Sequence, residues 1–312
     1  MRKKIRTIKL LLLIIVIIGS GFGYYYSRYI APDSYSIKKT TITNNSLPDE
    51  FKNFEIGFIS DINLQKSSDV TRLKKIVTSL NKENVDMVIF GGDLFSATPF
   101  DNDKVIELLS NIKSKYGKFA VLGEKDLASS NDVNAILNEG GFEVLHNEYR
   151  PIYFNGSTIS LFGLEGTGEL SGLINENNSE SYKIVAVHEP DYFNTTSNNE
   201  IALQLSGHTM GGYIRLPFIG GLFKKTNGNT YVSGEHTKSK SQLLISNGLG
   251  MEDGYEYRLF CPNQINIVTL KKIKALNLYF FISVPTPLVV KISINKLCSR
   301  RPSKIWTFFT SS

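Results

Sequence analysis

Short apolar runs that stop on a carboxylate or a ring nitrogen constrain this chain more than any other feature. Ile56-Gly57-Phe58-Ile59 stops at Ser60-Asp61, and residues 87–90 stop at Gly91-Gly92-Asp93. Residues 118–122 run into Gly123-Glu124-Lys125-Asp126, 184–187 into His188, and 201–205 into Ser206-Gly207-His208. Runs this short, bounded by glycine, read as buried strands. One polar residue at a strand end is a helix cap or a turn. Its repetition at successive ends is hard to explain by capping, and strand C-termini are where open α/β folds hold ligands.

Helical periodicity falls between the runs. Leu73, Ile76, Val77 and Leu80 mark one face of a helix over 68–81, with Ser68 or Asp69 as N-cap. Further helices are expected over 103–115 and 131–138, and strands near 159–162, 242–246 and 265–270. Strand-helix alternation early and mostly strands late imply an α/β fold, with two packed sheets or one mixed sheet. No internal repeat is visible.

Charge separates the chain into regions. All 29 acids lie between Asp33 and Glu256, where 20 Lys and Arg leave a balance of −9. The net +6 therefore comes from the two ends, which argues against a nucleic-acid-binding body and for basic ends at a membrane surface. Arg2, Lys3, Lys4, Arg6 and Lys9 precede an uncharged run over 10–26 that closes on Tyr24-Tyr25-Tyr26. As a helix that run spans roughly 25 Å, near the short limit for a bilayer. A cleaved signal peptide and a retained anchor both fit. The anchor is favoured because no A-x-A cleavage pattern follows the run. The positive flank would stay in the cytoplasm, giving a single-pass cell-membrane protein with an extracytoplasmic body.

The expected organisation is a basic flank and anchor over 1–31, a polar linker over 32–53, a body over 54–273, and a basic, apolar tail over 274–312. Pro285 and Pro287 make that tail a poor second span. Cys261 and Cys298 have no metal-ligand spacing, and His146 and His236 receive no role.

In this order, Asp61-Ile62-Asn63, Gly92-Asp93, Gly123-Glu124-Lys125-Asp126, His188 and Gly207-His208-Thr209-Met210 resemble the calcineurin-like metallophosphoesterases, in particular their membrane-associated bacterial branch. The family pattern is D-x-H, GD, GNH[DE], a lone His, and GHxH. The resemblance covers roughly 54–270, and Ser206 through the Gly-Gly-x-Ile-Arg-Leu-Pro tail is its most specific piece. It implies a sandwich of two mixed β-sheets flanked by helices, behind an N-terminal transmembrane helix. It also implies two metal ions that share a carboxylate, bind phosphate and lower the pKa of water, with a histidine protonating the leaving oxygen. By resemblance the first metal would use Asp61, position 63, Asp93 and position 210. The second would use Asp93, position 124, His188 and His208.

The departures fall on those roles. Asn63 offers an amide oxygen and Met210 a soft thioether, both poor replacements for imidazole. Asp61 is then a remnant of the first site, and a second metal is not expected. Asp93, Glu124, His188 and His208 still form a carboxylate and imidazole set suited to one zinc or manganese ion. Lys125 and Arg215 stand at phosphate-facing positions, Lys125 in place of the acid, and Tyr213 stands where the family often has Gln. Lys125 is expected to occupy the place of the missing metal, neutralising Asp61 and Asp93. Taken singly, each residue could equally be a cap, a loop histidine or a packed remnant.

Three functions stay open: a binding or regulatory module at the membrane with weak or lost hydrolysis, a residual mononuclear phosphoesterase, and a structural envelope protein without metal. Anchoring beside a bilayer makes a phosphorylated lipid or envelope ligand the expected partner.

Overall fold

The computed structural model describes residues 2–96, 98–166, 170–176, 182–252 and 254–272, and the strands at 276–282 and 288–294. Helix α1 (Arg2–Tyr25) runs on through a wide turn at Tyr26–Ile30 and a tight one at Ala31–Asp33. Its 24 residues extend about 36 Å. Leu10 to Ile18 are all exposed, with no protein surface covering them. The helix is long and apolar enough to cross a membrane, a property a signal sequence shares. Its foot is fastened to the body. Arg258 N–H donates to Ser27 O (2.9 Å) and Asn263 Nδ2 to Pro32 O (2.7 Å). Arg28 pairs with Glu256 and lies over the Tyr29 and Tyr257 rings.

Two six-stranded mixed sheets form the body. The first contains β1 (Tyr35–Thr43), β2 (Glu55–Ile59), β3 (Met87–Phe90), β4 (Lys118–Ala120), β5 (Glu143–Val144) and β14 (Asn263–Lys271), in the order β1-β14-β2-β3-β4-β5. The second contains β6 (Glu148–Phe154), β7 (Ser157–Leu164), β8 (Lys183–Val187), β9 (Leu203–Ser206), β12 (Gly234–Lys238) and β13 (Ser241–Ile245), in the order β12-β13-β9-β8-β7-β6. Strands β2, β3 and β4 run parallel in one sheet, and β8, β9 and β13 in the other. A two-stranded hairpin, β10 (Arg215–Leu216) and β11 (Gly220–Gly221), stands apart from both.

The alternation of the strand side chains builds the layers. In β3, Met87 and Ile89 enter the core between the sheets, while Val88 and Phe90 enter the core beneath the helices. In β8, Ile184 and Ala186 face the inter-sheet core; Val185 and Val187 face the outer cluster with α5 (Leu170–Glu176). Helices α2 (Ser67–Lys82), α3 (Asn102–Ser110) and α4 (Ser130–Glu139) cover the first sheet with Leu73, Val105 and Ile136. A short α6 (Phe193–Thr196) completes the set.

Several local expectations are corrected. Lys66, not Ser68 or Asp69, holds the N-cap position of α2. Asp69 reaches back instead, accepting from the Gln65 (2.9 Å) and Lys66 (3.2 Å) N–H groups. Helix α3 ends at Ser110 rather than 115, because Ser110 Oγ and Asn111 Nδ2 both bond to Glu107 O (2.8 and 2.9 Å) and compete with the helical ladder. The polar stretch 32–53 contains a strand, β1, paired in parallel with β14. Only Thr40 and Ile42 are buried there, and Lys38 and Lys39 pair with Glu235 and Glu83. It is a charged edge strand, which carries little hydrophobic alternation for a reader of the sequence to find.

Residues Ile273–Ser312 form a unit of their own. Strands β15 (Leu276–Ile282) and β16 (Leu288–Ile294) pair antiparallel, so the interrupted apolar stretch is a ribbon. Its β-branched and aromatic content favours that form. Pro285, Pro287, Cys298 and Trp306 lie outside the described residues.

Candidate metal centre

The parallel strands of both sheets deliver their C-termini to one place. Asp61 follows β2, Asp93 follows β3, Glu124 and Lys125 follow β4, His188 follows β8, and His208 follows β9. The turns are tight. Asp61, Asn63, Asp93, His208 and Met210 all have φ between 47° and 70°, a left-handed conformation that costs energy for residues with a side chain. Glycines admit the carboxylates. A Cβ on Gly123 would stand 2.2 Å from Asp93 Oδ1, and one on Gly207 would stand 2.3 Å from Asp61 Oδ2.

One cluster has the donors for a cation. Asp61, Asp93 and His188 are buried, with ligand atoms within 4.8 Å of one another. His188 Nδ1–H donates to Gly91 O at 2.6 Å, because a carbonyl only accepts. Nε2 therefore faces Asp93 Oδ2 at 3.4 Å and Asp61 Oδ1 at 3.9 Å. Against the effect of burial, the two carboxylates hold a proton there when no metal is bound and raise the imidazole well above its ordinary value. A metal ion would take that proton's place. His208 is fixed in the opposite sense: Nε2–H donates to Thr226 O at 2.7 Å, and Nδ1 faces Glu124 Oε1 at 3.6 Å. The two rings are 5.2 Å apart between centroids. Asp93 Oδ2, His188 Nε2 and His208 Nδ1 are all buried without a hydrogen-bond partner. A carbonyl holding the far nitrogen of each imidazole is how metal-binding histidines are oriented. Asp61, Asp93 and His188, once its Nε2 proton is displaced, thus fit a divalent ion, with His208 Nδ1 buried beside them but outside the set that converges within 4.8 Å. Glu124 sits at the edge with its side chain half exposed.

The protonation energetics show the same need. Burial pushes the Asp61 carboxyl up, against the pull of His188. Burial also acts to raise Asp93, but the charge of His188 and the ammonium of Lys125 hold it below the usual carboxylate range. Burial and the neighbouring His188 charge push His208 down, toward its neutral, ligating form.

The other half of the centre has a different chemistry. Lys125 Nζ donates to Asn63 Oδ1 at 2.8 Å and lies 3.6 Å from Asp93 Oδ2. It also donates to Glu252 Oε1, which Lys225 Nζ shares, while Tyr213 Oη donates to Glu252 Oε2. Asn63 Nδ2 faces Met210 Sδ at 3.7 Å, and Arg258 Nη2 lies 4.0 Å from the same sulfur. An ammonium, an amide and a thioether thus lie beside Asp93. The contact of Lys125 to Asp93 is direct. Burial works against the lysine's charge, but Asp93 and Glu252 hold its pKa above the ordinary range.

Other placements are less central. Arg215 lies on β10, and its side chain makes no ion pair among the described residues. His146 bonds to Glu165 at 2.6 Å and His236 to Ser233 O, both away from the cluster. Reading the sequence missed Glu252, Lys225, Arg258 and Asp126. The Asp126 carboxylate takes the N–H groups of Asp93, Leu94 and Gly123 and so shapes the turn itself. Arg258 is fully buried and bonds Asn247 O (2.7 Å) and Gly250 O (2.9 Å). Glu252 carried no strand-end mark: it lies in the loop well beyond the end of β13 at Ile245. A cavity of about 410 Å³ runs from Arg28 and Pro32 at the foot of α1, past Arg72 and Lys75, to Asn63.

Comparison with known proteins agrees with this geometry. Residues 54–212 match the family model of the calcineurin-like phosphoesterases. An uncharacterized metallophosphoesterase of Bacillus subtilis, YkuE, is 30% identical over 81% of this chain and 91% of its own length. One of Campylobacter jejuni, Cj0846, is 29% identical over 87% of this chain and 74% of its own. Phosphodiesterase YaeI of Escherichia coli is 24% identical over 81% and 93%.

Proposed function

Because the chain belongs to the calcineurin-like phosphoesterase family, we propose that it is a membrane-anchored member with one metal position in place of two. Phosphoester hydrolysis is weak or lost, and the protein acts as a binding or regulatory module at the membrane. One observation carries this reading: Lys125 Nζ lies 2.8 Å from Asn63 Oδ1 and 3.6 Å from Asp93 Oδ2, in the half of the centre that lacks imidazole. Asp61, Asp93 and His188 would hold a single ion, with His208 beside them and Glu124 at the edge. Such an ion supplies positive charge and Lewis acidity toward a phosphate.

The chain's own groups support binding more than turnover. A protonated lysine attracts a phosphate oxygen as a point charge. With its pKa raised, it is a poor proton donor to a leaving group at neutral pH. Loss of one metal and of the histidine acid removes terms that each contribute orders of magnitude to rate. The ligand is a phosphorylated lipid or envelope molecule, a reading supported by the apolar α1 fastened to the body and by the cavity that joins its foot to Asn63. The five basic residues before the apolar run favour a cytoplasmic N-terminus and an extracytoplasmic body.

A second reading, a mononuclear phosphodiesterase, draws on the name of the E. coli relative and on the unpartnered Asp93, His188 and His208 atoms. Metal content of the full chain in detergent, measured beside hydrolysis of bis(p-nitrophenyl) phosphate, separates the two. One ion without turnover supports the binding module. One ion with turnover lost in His208→Ala supports the mononuclear enzyme. Two ions per chain would overturn both.

A further inference from the structure

We propose that the β10–β11 hairpin, with the neighbouring segment 255–260, is a second membrane contact that seats the mouth of the metal centre against the lipid headgroups. The inference rests on the reading of α1 as a membrane anchor and deepens it by naming the face turned to the bilayer.

The hairpin tip is apolar and uncovered. Phe218 is fully exposed, Ile219 is 71% exposed, and Phe260, across the base of the hairpin, is 67% exposed. Strand pairing is minimal, Arg215 with Gly221 and Leu216 with Gly220, so the tip consists of Pro217, Phe218 and Ile219. Phe218 is held at φ 68°, a conformation a bulky side chain adopts only when its surroundings impose it. A soluble surface rarely collects large apolar side chains at one tip without a partner for them.

Hydrogen bonds join the hairpin to the foot of the anchor. Arg215 N–H donates to Leu259 O (2.9 Å), and Leu259 N–H donates to Tyr213 O (3.1 Å). The adjacent Arg258 N–H donates to Ser27 O (2.9 Å). One segment, 258–260, thus bonds the base of the hairpin and the foot of α1, and it carries the exposed Phe260. Lys224 follows the tip and is exposed, while Lys225 is committed to Glu252. Aromatic residues beside an exposed lysine suit the headgroup layer of an anionic bilayer, the rings in the acyl boundary and the ammonium among phosphates. Continuity with α1, the one helix among the described residues apolar and long enough to span, selects a bilayer over a protein partner. The hairpin grows directly from the turn that carries His208 and Met210, so the contact faces the metal position toward lipid phosphates.

The test uses the full chain in vesicles of phosphatidylcholine with a minority of phosphatidylglycerol, on a Trp306→Phe background that removes the natural indole. Single reporters are Phe218→Trp at the tip, Val16→Trp in the anchor, and Tyr153→Trp on the exposed β6. The expected result is that acyl-brominated lipid quenches reporters 16 and 218 and spares 153, while aqueous iodide quenches only 153. Quenching of 16 but not of 218 by bromolipid leaves the anchor standing and overturns the proposal. Shielding of 218 from iodide without bromolipid quenching also overturns it, in favour of a protein cover such as a second copy or the chain's own C-terminal residues. Quenching of neither by bromolipid removes the anchor reading and this one with it.

Discussion

Removing the Lys125 ammonium should destabilise the metal-free protein and make its stability depend on divalent ions. The lysine sits 3.6 Å from Asp93 Oδ2, in a carboxylate with no solvent exposure. Two unit charges at that distance attract by about 4–5 kcal/mol at an effective dielectric near 20. The lysine is 21% exposed, and its own desolvation offsets part of the attraction. Lys125→Ala should therefore cost about 2–3 kcal/mol, somewhat less than breaking a fully buried pair. In a body of this size that is a fall in Tm of roughly 5–10 °C. Asn63 Oδ1 loses its 2.8 Å donor and Glu252 one of its two lysines, which places the estimate toward the upper end. The assay is thermal unfolding in chelator and in manganese, alongside metal content by mass spectrometry. Wild type should gain one step of metal stabilisation. The variant should gain more, because manganese then replaces a charge that the chain no longer supplies. Equal Tm values for the two proteins in chelator would refute the account, since the ammonium would then carry no share of the carboxylate charge.

Three further outcomes follow from the same geometry. Burial pushes Glu252 up, but Lys225 and Lys125 win and hold its carboxyl below the ordinary 4.5; its contribution is present above that value and lost as pH falls through the lower folded one. Glu252→Gln should lower urea stability at pH 7 and flatten the acid limb below pH 4.5. Gly92→Ala puts a Cβ 2.5 Å from Gly123 N at φ +94°, whereas Gly156→Ala, at φ +85°, meets nothing within 4 Å. Urea titration should show about 1 kcal/mol lost at Gly156, from backbone strain alone, and more than about 2 kcal/mol at Gly92. Asn63→His, Lys125→His and Met210→His together should raise metal content to two ions per chain and raise bis(p-nitrophenyl) phosphate hydrolysis by at least ~100-fold.

Much of the fold was legible because it rests on periodicity. The strand runs ending at Asp61, Asp93, His188 and His208 appear as β2, β3, β8 and β9 with those residues just past their ends. These residues could be located because a strand end is a point in the sequence as well as in space, and three of them, Asp61, Asp93 and His188, converge. What escaped notice lacks such a mark. Strand β1 is held by pairing with β14, more than 220 residues away, and alternates weakly. Lys225 reaches Glu252 from a loop whose course depends on the hairpin before it. Arg258 looks in sequence like part of a basic terminus, yet it is fully buried and bonds the carbonyls of Asn247 and Gly250. The contact of Lys125 with Asp93 was expected because the resemblance sets two weak ligands, Asn63 and Met210, beside two carboxylates that need a cation.

On the proposed reading, the need for a cation there is the reason that Asn63, Lys125 and Met210 belong together. A buried pair such as Asp61 and Asp93 needs a cation whichever function the protein has. A metal supplies it reversibly, so the stability of a two-metal protein rises and falls with metal concentration. A lysine supplies it permanently, provided something anchors the amine. Here Glu252 does so, and Glu252 is in turn fixed by Lys225 and Tyr213. Asn63 fits the arrangement, since its amide oxygen accepts from the ammonium, and so does Met210, whose thioether takes the contact of the Asn63 amide. Histidine at either position would compete for the lysine's space or repel it when protonated. On the proposed reading the exchange keeps positive charge toward a phosphate and gives up one of two Lewis acids. Affinity for a phosphorylated headgroup should therefore outlast turnover. In Lys125→Ala the two should separate the other way, with weaker binding of an unreactive phosphonate analogue and no recovery of hydrolysis while Asn63 and Met210 remain.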